Sequence, residues 1–585
     1  MNDQKRENLL NLSLDATTAE RAASSSLSTG YDFTAKTWEV IVQYQGDISF
    51  LEQEGVRITY LFFQYAILTL PEQLVDYVTK LPQITYMEMP KRLFFADFAG
   101  RSISCIQPLQ ESSQGFFGDG VLLACIDSGV DYTHPAFRNA DGSTRIFALW
   151  DQTIPGSPPE NYPLGTQYTR QQIDEALSAP TPEERNRLVP SRDTSGHGTA
   201  VLGIAAGGGG SEDSLYRGVA SKAILLVIKL GSSEPDSFPR TTQLMMAVDY
   251  AVRTALFLQK PLAINLSFGN NYGSHSGTSL LETYLNQVSR LAQNVICIGS
   301  GNEGISARHA AGNLSPSETK RIEFAIGPYE PSMSLQLWKS YTDTFDITIV
   351  APDGTRIGPL QSILGTVRFR VRTTEILLYY GMPSPHSQAQ EIYLDLLPSS
   401  GQSFINSGIW AVELHARTIV MGNYDLWLPG FAGTQTRFYL PAPETTLTIP
   451  STARYAITVG AYNPRFQSYA DFSGRGYTRF FQDIKPDLCA PGVDISAPVS
   501  GGGYGAFTGT SFAVPFVTGS AALMMEWGIL YGNDPFLYGE KLKAFLIRGA
   551  RRLPSESVYP NPRLGYGCLL CTSDAADDLI GVDLG

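Results

Sequence analysis

Four stretches of this chain share one plan, and that plan restricts the fold more than any other feature of the sequence. "GVLLACIDSGV" (120–130), "KAILLVIKLG" (222–231), "PLAINLSFGN" (261–270) and "NVICIGSGNEG" (294–304) each run apolar almost without interruption and then turn small and polar. A strand with apolar residues on both sides is buried on both faces, the condition of a parallel sheet covered by helices. Helical spacing in "TQLMMAVDYAVRTALFLQK" and "SLLETYLNQVSRLAQ" supplies the cover. The expected class is therefore α/β. Ligands in such sheets bind beyond the carboxyl ends of the strands, which directs attention to the turns holding Asp127, Ser267 and Asn302.

Two further textures flank and interrupt this pattern. Residues 1–36 read as a Ser/Thr/Ala-rich leader, and 37–97 as a small α+β module: "TWEVIVQYQ", "QYAILTL" and "PQITYMEMPKRLFF" as strands, "PEQLVDYVTKL" as a helix. Residues 315–448 are short alternating strands joined by turns, an all-β sandwich by spacing. The α/β part is thus expected in two pieces, 98–314 and 449–585.

The totals exclude some partners. A net charge of −13 argues against a nucleic-acid partner. The start lacks the apolar core of a secretory signal, so cytoplasmic synthesis is expected. The longest apolar helix candidate, 511–530, contains Pro515, Gly519, Ser520 and Glu526 and reads as a core helix rather than a membrane span. Of six cysteines, Cys125, Cys297 and Cys489 lie in or beside apolar runs and read as buried thiols. The lone CxxC of Cys568 and Cys571 is weak evidence for zinc, and the Asp131–Asp141 loop is no recognisable oxygen cage. No metal or cofactor is assigned.

Three motifs carry chemistry. "IDSGVD" places Asp127 at a strand end, "DTSGHGTAVLGIAAG" places His197 at a helix start, and "GTSFAVPFVTG" does the same for Ser511. A serine hydroxyl needs a base to become a nucleophile. Histidine, with an ordinary pKa near 6.5, suits that role, and a carboxylate on its far nitrogen fixes the tautomer. Gly196 and Gly198 are expected to let backbone pass close to substrate. Pro515 is placed in the first helical turn, where the free Ser511 amide and the Asn302 side chain could hold an oxyanion. "NLSFG", with Ser267, Phe268 and Gly269, offers an edge for β-pairing with a peptide, and Gly299, Ser300 and Gly301 are expected to line the same groove. His275, His309, His386 and His415 lack such contexts and read as surface or loop residues; His134 is expected to pack near the site without taking protons.

With these residues in hand, the chain resembles the subtilisin-like serine proteases, whose order Asp, His, Ser it shares. "IDSGVDYTHPAF", "GHGTAVLGIAAG", "NLSFG", "GSGNEG", "KPDLCAPG" and "GTSFAVPFVTG" carry the likeness over roughly 119–315 and 449–570. Phe512, Val514 and Phe516 depart from the commoner residues after the nucleophile without removing a catalytic group. The retained α+β module and the long insert are most similar to the Csp germination proteases of spore-forming clostridia. That resemblance implies several things: a prodomain over 37–97, an inserted jelly roll, and self-cleavage within Phe95, Ala96, Asp97, Phe98, Ala99, Gly100 and Arg101. It also implies a cleaved prodomain retained in the active-site groove, a spore-associated location, and a substrate that is the zymogen of a cortex-lytic hydrolase. A silent pseudoprotease scaffold and a protease with other bacterial substrates are the alternatives.

Overall fold

The computed structural model describes residues 5–6, 10, 14, 18, 31–61, 65–88, 115–160, 162, 164–208, 216–231, 239, 241–271, 273–278, 280–361, 365–380, 388–399, 402–430, 433–479 and 483–569. The expected cleavage segment Phe95–Arg101, Cys105, Cys571 and His386 lie outside the described residues. The chain forms two compact units, Met1–Phe95 and Ala96–Gly585.

In the first unit an antiparallel sheet runs in the order Tyr31–Asp32, Thr37–Tyr44, Tyr65–Pro71, Arg57–Leu61, with Ile84–Glu88 also paired to Thr37–Tyr44. Alternate residues Trp38, Val40 and Val42 face Leu68 and Leu70 in a core that the helix Val75–Lys80 helps cover. The leader expected over 1–36 is not separate from this unit. Arg6 bridges Met87, its Nε donates to Thr79 Oγ1 at 3.0 Å, and Leu10 is fully buried in the same core with Leu14 packed beside it. The two leucines, four residues apart, form one helical stripe that the polar composition of the segment conceals.

The second unit is built on a nine-stranded sheet. Its parallel centre runs Ile457–Asn463, Asn294–Gly299, Leu262–Leu266, Leu122–Asp127, Ile224–Lys229, Ile146–Asp151, and the middle four are the apolar runs of the sequence. Register aligns Cys125, Asn265 and Cys297 across three strands. Leu123, Cys125, Leu225 and Val227 face one helical layer; Leu122, Ala124, Ile126, Leu226 and Ile228 face the other. The first layer contains the helices His197–Ala206 and Thr510–Met525, packed on each other; the second contains Thr241–Leu258 and Leu280–Val288. Burying both faces is what makes the strand interiors apolar throughout. The apolar segment Thr510–Leu530 is 78% buried inside the protein, and Cys125, Cys297, Cys489 and Cys568 are buried free thiols.

Between Asn302 and Ser511 the chain leaves this sheet and builds a two-sheet antiparallel sandwich. One sheet runs His309–Asn313, Asn423–Trp427, Met333–Ser340, Ala389–Pro398, Thr374–Tyr380, Gly365–Val371; the other runs Arg356–Leu360, Thr344–Val350, Gly408–Thr418, Thr319–Ile326, Arg437–Phe438. Leu335, Leu337, Ile347, Ile349, Ile392, Leu394, Trp410 and Val412 meet between them. Its first strand, His309–Asn313, begins before residue 315. "HAAGN" has no alternation to announce a strand; pairing with Asn423–Trp427 makes it one.

Two histidines read as surface residues are instead buried where the sandwich meets the α/β sheet. His275 and His309 both stack on Trp427 at centroid distances of 4.1 and 4.6 Å and are 1% and 3% exposed. Burial pushes the His275 imidazole down to about 4, so it is neutral near pH 7. Arg479 Nε donates to Asp425 at 2.6 Å and His309 Nε2 lies 3.1 Å from the same carboxylate, tying the two folds together. His415, which bridges Thr319 and Thr348, is only partly exposed.

Candidate active site

The strand Leu122–Asp127 is buried along its whole length and delivers Asp127 to its carboxyl end. The helix His197–Ala206 opens directly beneath it. Asp127 Oδ1 and His197 Nδ1 are 2.7 Å apart, with Asp127 1% and the His197 side chain 29% exposed. A carboxylate accepts only, so the imidazole proton sits on Nδ1 and Nε2 keeps its lone pair. Asp127 Oδ2 is buried with no hydrogen-bond partner, so positive charge on the adjacent ring is its best compensation. Burial pushes the imidazole pKa down, but the charge and hydrogen bond of Asp127, with the charge of Asp193, outweigh it and leave the pKa raised.

Asp193 is a positioning residue that the sequence reading passed over. It accepts from the Gly196 and Thr199 amides at 3.0 and 2.8 Å, and from Thr199 Oγ1 and Ser128 Oγ at 2.7 and 2.9 Å. It thereby caps the first turn of the His197 helix and joins it to the turn after Asp127; a negative charge there also suits the helix dipole. Its pKa is lowered because these donors outweigh its burial. The signal was present: an Asp four residues ahead of a glycine-flanked histidine that starts a helix. Gly198 serves a purpose other than the one expected. A β-carbon there would lie 2.2 Å from the Gly129 carbonyl, so the residue lets the helix press against the Asp127 turn rather than against substrate.

Ser511 is the second residue of its helix, where backbone amides have no intrahelical acceptor. The ring of the next residue, Phe512, lies 5.3 Å from the His197 ring, which brings the two helix starts together. Pro515 is not in the first turn but is the sixth helical residue. Lacking an N–H, it leaves the Ser511 carbonyl without its i+4 donor. Ser267 Oγ donates to that carbonyl at 3.2 Å, and Ser511 Oγ donates back to the Ser267 carbonyl at 3.4 Å. Asn265, fully buried, holds Ser267 Oγ at 3.0 Å and accepts from Thr518 of the Ser511 helix at 3.0 Å.

Asn302 is oriented by its neighbours. Its Oδ1 accepts from the Thr510 amide and hydroxyl, each at 3.0 Å. The Nδ2 end therefore faces away from Thr510 and lies 3.4 Å from the position a β-carbon would take on Gly509, two residues before Ser511. A preset amide donor beside a nucleophile candidate is what an oxyanion site requires.

The residues expected along the groove divide. Among the described residues, Ser267, Phe268 and Gly269 have no strand partner, and only beyond them does Asn270 pair with Ile449; the Phe268 ring packs on the core. Gly299 and Ser300 are corrections. Both are buried: Gly299 under Thr510 and Val514, Ser300 with its Oγ 3.2 Å from Ser473 Oγ. The Ser300 hydroxyl is therefore turned to Ser473 rather than presented along the groove. Gly301 is half-buried at φ 91°, and a β-carbon there would meet Thr448 at 2.4 Å. His134 is 3% exposed, with Nε2 3.0 Å from the Gly503 carbonyl.

A parallel sheet with a carboxylate–imidazole pair, a serine-bearing helix and a set amide at its carboxyl edge defines a subtilisin-like serine protease fold. Residues 118–377 and 422–567 match the model of the subtilase family, and the chain belongs to that family. Residues 4–91 match the Csp protease B prodomain. The chain is a subtilase of the Csp type: the structure of the Clostridium perfringens CspB protease is 36% identical, covers 83% of this chain and 98% of that one, and superposes with a TM-score of 0.76. The minor extracellular protease Vpr of Bacillus subtilis (strain 168) is 22% identical over 496 residues, 80% of this chain and 53% of its own length. The PII-type proteinase of Lactococcus lactis subsp. cremoris is 22% identical over 589 residues, 30% of its length. The chain thus spans about half or less of these curated relatives.

Proposed function

We propose that this chain is a prodomain-bearing serine endopeptidase. Ser511 is the nucleophile, His197 the general base, Asp127 its partner, and Asn302 with the Ser511 amide the oxyanion donors. The observation that carries the reading is the 2.7 Å contact between a buried carboxylate and Nδ1 of a partly exposed imidazole. It leaves Nε2 basic and stabilises the cation formed when that nitrogen takes a proton.

In this mechanism a peptide pairs with the backbone of Ser267 to Gly269, and its carbonyl comes to rest between Ser511 Oγ and Asn302 Nδ2. Ser511 Oγ gives up the long bond to Ser267, passes its proton to His197 Nε2 and forms the acyl bond. The tetrahedral oxygen takes its charge facing the two donors. His197 then protonates the leaving amine, and water repeats the sequence to release the acid.

The finer reading rests on the resemblance. The chain cuts itself within Phe95–Arg101, the prodomain stays as chaperone and inhibitor with its end in the groove, and the substrate is the zymogen of a cortex-lytic hydrolase. Amino-terminal sequencing of wild type and Ser511→Ala tests this. A new terminus within 95–101 in wild type alone is expected. An uncut wild-type chain would overturn autoprocessing, and an identically cut Ser511→Ala chain would overturn the role of Ser511.

A further inference from the structure

At the opposite edge of the sheet, where the strands begin, lies a cavity of about 450 Å³ lined by Arg145, Arg170, Arg217, Lys222 and Phe117. Four cations around one cavity are conspicuous in a chain of net charge −13. Among the described residues, none of the four forms an ion pair. Among the described residues, Asp141 accepts from Ser143, Asp174 from the Thr144 amide at 2.6 Å, and Glu526 from the Phe117 and Gly118 amides at 2.8 and 2.6 Å. Arg217 and Lys222 lie over the Phe117 ring at 5.7 and 4.7 Å, which holds them in place without neutralising them.

Arg145 is the floor of this cavity and is 7% exposed. Its Nη1 donates to the Ala206 carbonyl at 2.6 Å and the Ala136 carbonyl at 3.3 Å, and Nη2 to Ala223 at 3.1 Å. These carbonyls take three of its five N–H donors and carry no net charge, so burial is uncompensated and pushes the guanidinium down to about 10. A purely structural arginine is held by carbonyl bonds such as these. It does not need three more cations converging on the same space, which repel one another unless negative charge enters.

We propose that this cavity is a binding site for a small anion carrying at least two negative charges, as a phosphate group or paired carboxylates, held by Arg145, Arg170, Arg217 and Lys222. Guanidinium groups pair such anions bidentately. The site is remote from the active site yet linked to it. Arg145 holds Ala206, the last residue of the helix that begins with His197. A ligand that binds only the folded protein stabilises it by mass action, here at the far end of the helix carrying the proposed base.

Titration calorimetry and thermal unfolding of the full chain test the proposal, with inorganic phosphate, glycerol phosphate and malonate as separate probes at ionic strength fixed with sodium chloride. At least one probe should bind saturably and raise the melting temperature in proportion to occupancy; the ranking tells phosphate from carboxylate. Arg217→Gln/Lys222→Gln, both on partly or fully exposed residues, should weaken binding by about tenfold or more, leave peptide hydrolysis without ligand unchanged, and recover partly in Arg217→Lys/Lys222→Arg. Arg170→Gln is an independent second variant. No saturable binding of any probe, or equal binding by wild type and both Gln variants, would overturn the proposal, since anions such as phosphate also stabilise proteins without a site.

Discussion

The proposed base and the proposed nucleophile are held by different means. His197 is fixed by a 2.7 Å bond to Asp127, and its helix start by three bonds to Asp193, which a fourth, from Ser128, ties to the turn after Asp127. The Ser511 backbone is as firmly set, through the Ser267 bond made possible by Pro515. Its hydroxyl, however, has one long bond of 3.4 Å to a carbonyl. The difference is instructive. Orientation of the base costs entropy that folding has already met, whereas the nucleophile must be able to leave its resting acceptor and reach substrate. A tightly bonded hydroxyl would oppose its own reaction.

The largest effect should come from the loosely held half. Ser511→Ala is expected to lower kcat by about 10⁶-fold without disturbing the Asp127–His197 pair, read as unchanged titration of the His197 ring by NMR. Asp127→Asn should cost about 10⁴-fold and change the pH profile. Because the native imidazole pKa is raised, the acid limb of kcat/KM should lie above the ordinary 6.5; without the carboxylate, burial remains and the limb should move down. The sign for stability is opposite in direction. A raised folded pKa contributes stability below pH 6.5 that is lost as pH rises through the folded value.

Asn302→Ala should cost about 10²–10³-fold in kcat with little change in KM. Asn302→Asp sharpens the point: it keeps the acceptor for Thr510 but removes the donor, so its activity should fall as far as that of the alanine variant. Smallest is Asp193→Ala. Losing a cap and several buried donors' acceptor should destabilise the protein by about 1–3 kcal/mol, measured by denaturant midpoint, with activity falling mainly through kcat as His197 loses its fixed position.

Much of this was legible because burial dictates it. Strands covered on both faces must be apolar throughout, so "LLACID" and "NVICIG" announce themselves, and their polar ends mark the site. Asp127, His197 and Ser511 stand out because each lies within two residues of a glycine at an element boundary. What depended on distant partners was hidden. Ser300 belongs to "GSGNEG" but is sealed by Ser473, and His275 is buried only because Trp427 of the sandwich lies against it. Leu10 and Leu14 become core only against strands that follow them. No local pattern carries such information. The role of Gly198 was misread for the same reason: its neighbour is Gly129 across a helix–strand contact, not a ligand.

The proposed activation of Ser511 by an imidazole whose basicity Asp127 sets is open to direct test. A fluorophosphonate probe, with peptide mapping of the adduct and labelling rates taken across pH, tests it directly. One adduct is expected, on Ser511, formed at a rate that climbs with a midpoint above pH 6.5 and collapses in His197→Ala. An adduct on another residue, or Ser511 labelling that is indifferent to His197, would contradict it.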